Sequence, residues 1–254
     1  MSENIEAPSN PARRLGSYST AKVSRGRVER LERHATRLRR DARRLGLPVP
    51  DRRDIERRFL EAAAESFSAG DGIVRVEWSH LPGEAPELIA SPRAYAPLPA
   101  TWRAATSSIV HPGREFRANT KYVDVNAYDR SREDVANSDY NEVLLFDAEG
   151  NLVEGSHSNF LAVLADGRLV TPTLEAGGVE GLGLTIVRDD YPELYEIWIP
   201  RESLNDAQEL MSVNTVRGVV PIVELDGKAI GTGVAGPWAS RLAAIFAPTP
   251  SDVS

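Results

Sequence analysis

One carboxylate in this sequence stands where an apolar side chain is expected. Leu152–Leu164 reads as a strand, yet Glu154 interrupts its apolar run, and Gly155-Ser156-His157-Ser158-Asn159 follows at once. A charge set into a core strand needs a partner. Lys121, in the polar stretch RANTKY, is the candidate; the chain has only two other lysines, Lys22 and Lys228. A lysine amine becomes a nucleophile, or a carrier of protons, once burial beside other cations frees it of its own proton. Two more groups could take anions. Arg217, in NTVRG, could hold a carboxylate through two parallel bonds. The glycine-rich stretch Gly177–Gly183 could offer backbone N–H groups at a helix start. Each feature has a plainer account: Glu154 at a bulge or edge, Lys121 and Arg217 on the surface, and the glycines in an ordinary loop.

The elements that must position these groups follow from periodicity. Gly16–Val23 alternates weakly as a strand. Apolar residues Val28, Leu31, Ala35, Leu38, Ala42 and Leu45 recur at threes and fours, predicting a helix over Arg27–Leu45 stopped by Gly46 and Pro48. A second helix spans about Asp51–Ser68. Ile73–Trp78 and Glu87–Ala90 read as strands. The proline-rich Ser91–Thr101 has no period and reads as an interdomain linker. A strand near Thr106–Val110 leads to the lysine segment, which opens a short helix. Glu142–Leu164 then reads as a hairpin about Asp147–Asn151. Strands at Arg168–Thr171, Glu196–Ile199, Glu209–Val213 and Val219–Leu225 follow, with short helical pieces at Leu184–Asp190 and Arg201–Ala207. A helix over Pro237–Ala247 closes the chain. The expected division is a small N-terminal domain, 1–90, with residues 1–12 a loose arm, the linker 91–101, and a larger domain, 102–254.

Composition excludes several chemistries. The 254 residues contain no cysteine, so disulfides and thiolate metal sites are out. The four histidines, His34, His80, His111 and His157, have no ligand spacing, and no metal is expected. No run is long enough for a membrane span, and the N-terminus lacks the apolar core of a secretory signal. A cytoplasmic protein is therefore expected. Thirteen arginines crowd Arg25–Arg58 against six acids. Acids are interspersed around them and no stacking aromatics lie among them, so a solvated helix face is expected rather than a nucleic-acid site.

Taken in order, Lys121, DAEGNLVEGSHSNFLAV, Val170-Thr171-Pro172, GGVEG and VNTVRGVVPIVELDG resemble the fold-type IV pyridoxal-phosphate enzymes. These are the class-IV aminotransferases and the 4-amino-4-deoxychorismate lyases, and the resemblance runs from about Gly16 to Leu242. It implies an α+β, two-domain fold with a pseudo-barrel C-terminal domain, and pyridoxal 5'-phosphate held between the domains of a homodimer. It makes Lys121 the Schiff-base lysine and Glu154 the acid facing the pyridine nitrogen. Arg37, three residues after His34, becomes the phosphate arginine. Leu182 and Gly183 would give amide N–H groups to the phosphate, and Thr215 a hydroxyl and an amide. Asn214 and Arg217 fall at the substrate end.

Departures from the pattern also count. Leu184 stands where many members have arginine, and Asn126 where branched-chain transaminases have a tyrosine five residues after the lysine. The entry strand is reduced to LGSYST. These imply weaker cofactor binding, or a pocket completed differently. Ser19, where transaminases usually have glutamate, and NTVRG lean toward the lyase. Asp124, where lyases have asparagine, leans away. The resemblance implies a transaminase acting on an amino acid and a 2-oxo acid. A pyruvate-eliminating lyase is the alternative, and a cofactor-free binding protein the remote one.

Overall fold

The computed structural model describes residues 13–114 and 119–247. The expected arm, 1–12, lies outside the described residues. The chain forms two curled sheets. The smaller has the order β2-β1-β3-β4, from β1 (Leu15–Ser24), β2 (Arg27–Val28), β3 (Gly72–His80) and β4 (Glu87–Ala94). Helices α1 (Leu31–Arg44) and α2 (Arg52–Phe67) cover it. Leu38, Ile55 and Phe59 pack with Val74 and Val76 as its core.

Two expectations are corrected here. The first helix begins at Leu31, because Arg27 and Val28 pair with Ser24 and Val23 across a tight turn. Arg25 and Gly26 both have positive φ there, 50° and 76°, as a two-residue hairpin turn matched to strand twist requires. Val28 still packs on the helix's core, which is why it fits the helical period. Further on, β4 runs to Ala94, so the first four residues of the proline-rich stretch are strand.

The larger sheet orders as β10-β9-β8-β11-β12-β5-β6-β7, with β13 on β12. In chain order these are β5 (Trp102–Val110), β6 (Glu142–Phe146), β7 (Leu152–Gly155), β8 (Asn159–Val163), β9 (Leu169–Pro172), β10 (Tyr195–Ile197), β11 (Glu209–Asn214), β12 (Gly218–Leu225) and β13 (Lys228–Ala229). Phe160, Leu144, Leu210 and Ile222 fill one face. On the other, α4 (Leu182–Asp190) and α5 (Pro237–Ala244) pack over Leu161, Met211 and Val213. Helix α3 (Asn126–Ala136) follows the lysine segment.

The predicted strand 152–164 is broken in two. Gly155 N–H donates to the Ser158 carbonyl at 2.7 Å, and the chain bends through Ser156–Ser158. Glu142, fully buried, drives the bend: its carboxylate accepts from Ser156 N–H and Oγ (2.9 and 2.6 Å) and from Ser158 Oγ (2.7 Å). The bend sends β8 to β11 and β9 while β7 stays on β6, so Glu154 ends beside the break.

Candidate active site

Lys121 lies where the two sheets meet. Its carbonyl accepts from Tyr18 N–H at 2.9 Å, and Val123 N–H donates to Gly16 O at 3.1 Å, so strand β1 grips the lysine segment from both sides. From α1, buried Asp41 accepts the Lys121 N–H at 3.1 Å. The lysine Nζ stands 4.9 Å from the Tyr18 ring centroid, and Arg75 stacks on the same ring at 3.7 Å. Burial alone would raise the Tyr18 pKa, but the charges of Lys121, Arg75 and Arg132 outweigh it and lower the phenol.

Glu154 is 3% exposed, and its partners are not the expected lysine. Oε1 accepts from the Tyr128 hydroxyl and from His111 Nε2 (3.3 Å), and Oε2 from Val179 N–H (3.0 Å). Tyr128 comes from α3, seven residues after the lysine, and His111 from the residue just past β5. Sequence reasoning missed both. Asn126 directed attention to an absent tyrosine, yet two residues further along the helix Tyr128 supplies the phenol. Burial, and then the Glu154 charge, push the Tyr128 hydroxyl well above its usual pKa, so it stays a donor.

The phosphate candidates converge at the other end. Arg37 is 4% exposed, and its Nε and Nη2 both reach Ser19 Oγ, at 3.2 and 2.6 Å. No carboxylate lies within ion-pair distance of it among the described residues. Burial and neighbouring Arg40, against Asp41 and Tyr18, lower its pKa to about 10. One residue along β1, the Thr20 carbonyl accepts from Thr215 Oγ1 at 3.2 Å. Leu182 and Gly183 open α4, whose first turn has no side-chain cap. A Cβ on Gly183 would sit 2.8 Å from the Asn214 backbone, so only glycine lets this helix start lie against the β11–β12 turn. The open amides, Thr215 and Arg37 thus border one region, a setting suited to a phosphate.

The substrate-end candidates divide. Asn214 Oδ1 accepts from Val216 and Arg217 N–H (3.0 and 2.9 Å), so it shapes the turn. Arg217 stacks on Tyr95 at 4.3 Å and lines a hollow of about 280 Å³ with Leu98, Trp102 and Val220. Partial desolvation, then Arg75, Arg217 and Arg132, hold the Arg93 guanidinium below its usual pKa. Arg75 and Arg132 have carboxylate partners, Glu77 and Asp129. Arg93 and Arg217 have none among the described residues. Arg75 and Arg93 went unnoticed in the sequence because only the β1-β3-β4 sheet brings them beside Tyr18.

Two curled sheets with a lysine segment and a buried glutamate where they meet match the fold-type IV architecture. Residues 16–225 match the model of the class IV amino-transferases, and the chain belongs to that family. A branched-chain-amino-acid aminotransferase of Pseudomonas aeruginosa is 34% identical over 104 residues, covering 40% of this chain. That stretch is 34% of the relative's length, and the match to the Aquifex aeolicus relative is 35%. Among solved structures, the branched-chain aminotransferase of Thermoproteus uzoniensis with norvaline superposes with a TM-score of 0.76 at 25% identity, covering 94% of this chain and 88% of that one. A Legionella pneumophila structure described as a "Putative 4-amino-4-deoxychorismate lyase" gives a TM-score of 0.81 at 17% identity, covering 96% of each chain.

Proposed function

We propose that this chain is a pyridoxal-phosphate-dependent transaminase that moves an amino group between an amino acid and a 2-oxo acid. The observation that carries the reading is the buried Arg37 guanidinium, which faces one neutral hydroxyl and no carboxylate among the described residues. A cation taken out of water without a counter-ion is costly, and a bound phosphate would offset that cost. The rest fits the same group. Lys121 would hold the aldehyde, Glu154 the ring nitrogen, and Arg37, Leu182, Gly183 and Thr215 the phosphate. Bound there, the cofactor supplies an electron sink for the substrate's α-carbon.

The chain's own groups do the remaining work. The Lys121 amine, on a backbone that β1 and Asp41 hold, is placed to take and return the α-proton. Arg93 and Arg217 receive the substrate's acidic groups. Tyr18 packs beside the lysine and narrows the space where the α-carbon must sit. Asn214 supports this end by fixing the Arg217 turn. A two-domain division with its link at 95–101, between β4 and β5, a homodimer and a cytoplasmic setting belong to the same proposal.

The test is direct. Added pyridoxal phosphate colours the protein, borohydride fixes it, and peptide mapping places the label on Lys121; Lys121→Ala abolishes the label and lowers turnover at least about a thousandfold. An amino acid then converts the bound cofactor to its pyridoxamine form. Release of pyruvate and an aromatic amine with no oxo-acid acceptor would make the chain the lyase. A protein that stays colourless in excess cofactor would end both accounts.

A further inference from the structure

Glu154 sits in a setting that ought to work against it. It is 3% exposed, and no lysine or arginine lies within ion-pair distance among the described residues. Away from water, a carboxylate next to a pyridinium is close in energy to the neutral acid–pyridine pair, because burial disfavours both charges. With the proton on oxygen, the ring nitrogen is neutral and draws electrons poorly. Something must keep the shared proton on nitrogen.

The structure provides three donors in place of water. Val179 N–H donates to Oε2, and the Tyr128 hydroxyl and His111 Nε2 occupy Oε1. The His111 tautomer follows from its other nitrogen. Nδ1 accepts from Gly113 N–H at 3.0 Å, so the ring proton is on Nε2 and points toward Oε1 and the Tyr128 oxygen, 3.0 Å away. Tyr128, its acidity suppressed by burial and by Glu154 itself, keeps its proton and donates it to Oε1. Tyr18 and Arg132 are the other titratable groups that act on Tyr128, from β1 and α3. Hydrogen bonds to a carboxylate favour its ionised form, and each bond to a charged group contributes about 1.5 kcal/mol or more.

We propose that Tyr128 and His111 are positioning residues that, acting through Glu154, hold the shared proton on the ring nitrogen of the cofactor. This rests on the reading of the site given above. Donors on Oε1 leave the free lone pair of Oε2, beside Val179, as the acceptor for the ring N–H. Tyr128 therefore stands in for the tyrosine that Asn126 replaces, but at the nitrogen end of the ring.

The experiment loads the protein with pyridoxal phosphate carrying a nitrogen-15 ring atom and follows that resonance, together with the infrared carbonyl band of a protonated carboxylic acid. In the parent protein the nitrogen is protonated and the acid band is absent. Tyr128→Phe moves the sharing equilibrium about tenfold toward oxygen, and Tyr128→Phe with His111→Phe about a hundredfold, bringing the nitrogen toward its unprotonated position as the acid band grows. Glu154→Gln, with no carboxylate, leaves the nitrogen unprotonated and shows no acid band. If both phenylalanine variants keep the parent signals while Glu154→Gln changes them, the proposal fails and the assignment of Glu154 survives. If Glu154→Gln also keeps them, the assignment fails too. Should the double variant not fold, Tyr128→Phe alone decides, by the same two signals.

Discussion

Two buried charges, one at each end of the candidate site, are handled in opposite ways. Glu154 is saturated: three donors from three separate stretches of chain surround its two oxygens. Arg37 is nearly as buried, yet its Nε and Nη2 share a single hydroxyl oxygen. A saturated charge is built for one orientation and stays put whether or not a ligand arrives. An undersatisfied one stores a cost that only an incoming anion removes. The contrast tells the two ends apart without reference to any relative: one holds a fixed acceptor, the other a buried guanidinium with no carboxylate in ion-pair range among the described residues.

The largest effect expected from breaking this contrast is at Arg37. Arg37→Met should weaken pyridoxal phosphate binding about a hundredfold, since two charge-assisted bonds are lost. It should leave the affinity for pyridoxal, which lacks the phosphate, nearly unchanged. Isothermal titration with both compounds checks this. Equal losses for the two would mean that Arg37 only supports the fold.

A smaller effect, in stability rather than binding, should carry opposite signs at the two ends. Without cofactor, Arg37→Met should raise the unfolding free energy by about 1 kcal/mol or more, because a poorly paired buried cation is replaced by apolar volume. Glu154→Gln should lower it by about 2 kcal/mol: the amide has one acceptor oxygen for three donors, and its own N–H₂ must face at least one of them. Denaturant melts of the cofactor-free proteins measure both. A loss of stability in Arg37→Met would put the guanidinium among the groups the apo fold needs.

The sequence exposed these two ends unequally, for physical reasons. Glu154 was legible because a carboxylate breaks an apolar run. Arg37 was one arginine among thirteen, and only its spacing from His34 singled it out. Most of the others have surface partners of the ordinary kind: Arg33 with Asp189, Arg44 with Glu180, Arg52 with Glu32 and Glu56. Periodicity placed most of the helices and strands, but it could not foresee the bend at Ser156–Ser158. Its cause, Glu142, looks in the sequence like a polar residue at the start of a strand. Tyr128 and His111 were invisible for a similar reason: neither breaks a local pattern, and only the packing of α3 on β5 and β6, beside β7, brings them to Glu154. Asn214 caps the turn that carries Arg217, a role that an asparagine before a turn often takes and that the sequence did not single out.

The smallest effect is a slope with pH, and it ties the phosphate end to folding. Ser19 Oγ accepts from Arg37, which can only donate, so the Ser19 proton must go to His34 Nδ1, 2.7 Å away. That bond requires an unprotonated Nδ1. Burial first, and then the charges of Arg37 and Arg30, hold the His34 pKa well below its usual 6.5. The native protein therefore binds fewer protons here than the unfolded chain does. Above about pH 6.5 both states are neutral at this residue and it contributes no slope. Below that, the unfolded chain takes up a proton that the native state refuses, and stability falls by up to about 1.4 kcal/mol per pH unit until the native pKa is reached. His157, also depressed by burial, tilts the same way and must be subtracted with a His157→Gln background. On that background His34→Gln should flatten the slope, and saturating pyridoxal phosphate should reduce it with His34 intact, because a phosphate on Arg37 neutralises the charge that helps keep the imidazole unprotonated. A slope that His34→Gln removes but the cofactor leaves untouched would place the bound anion somewhere other than Arg37.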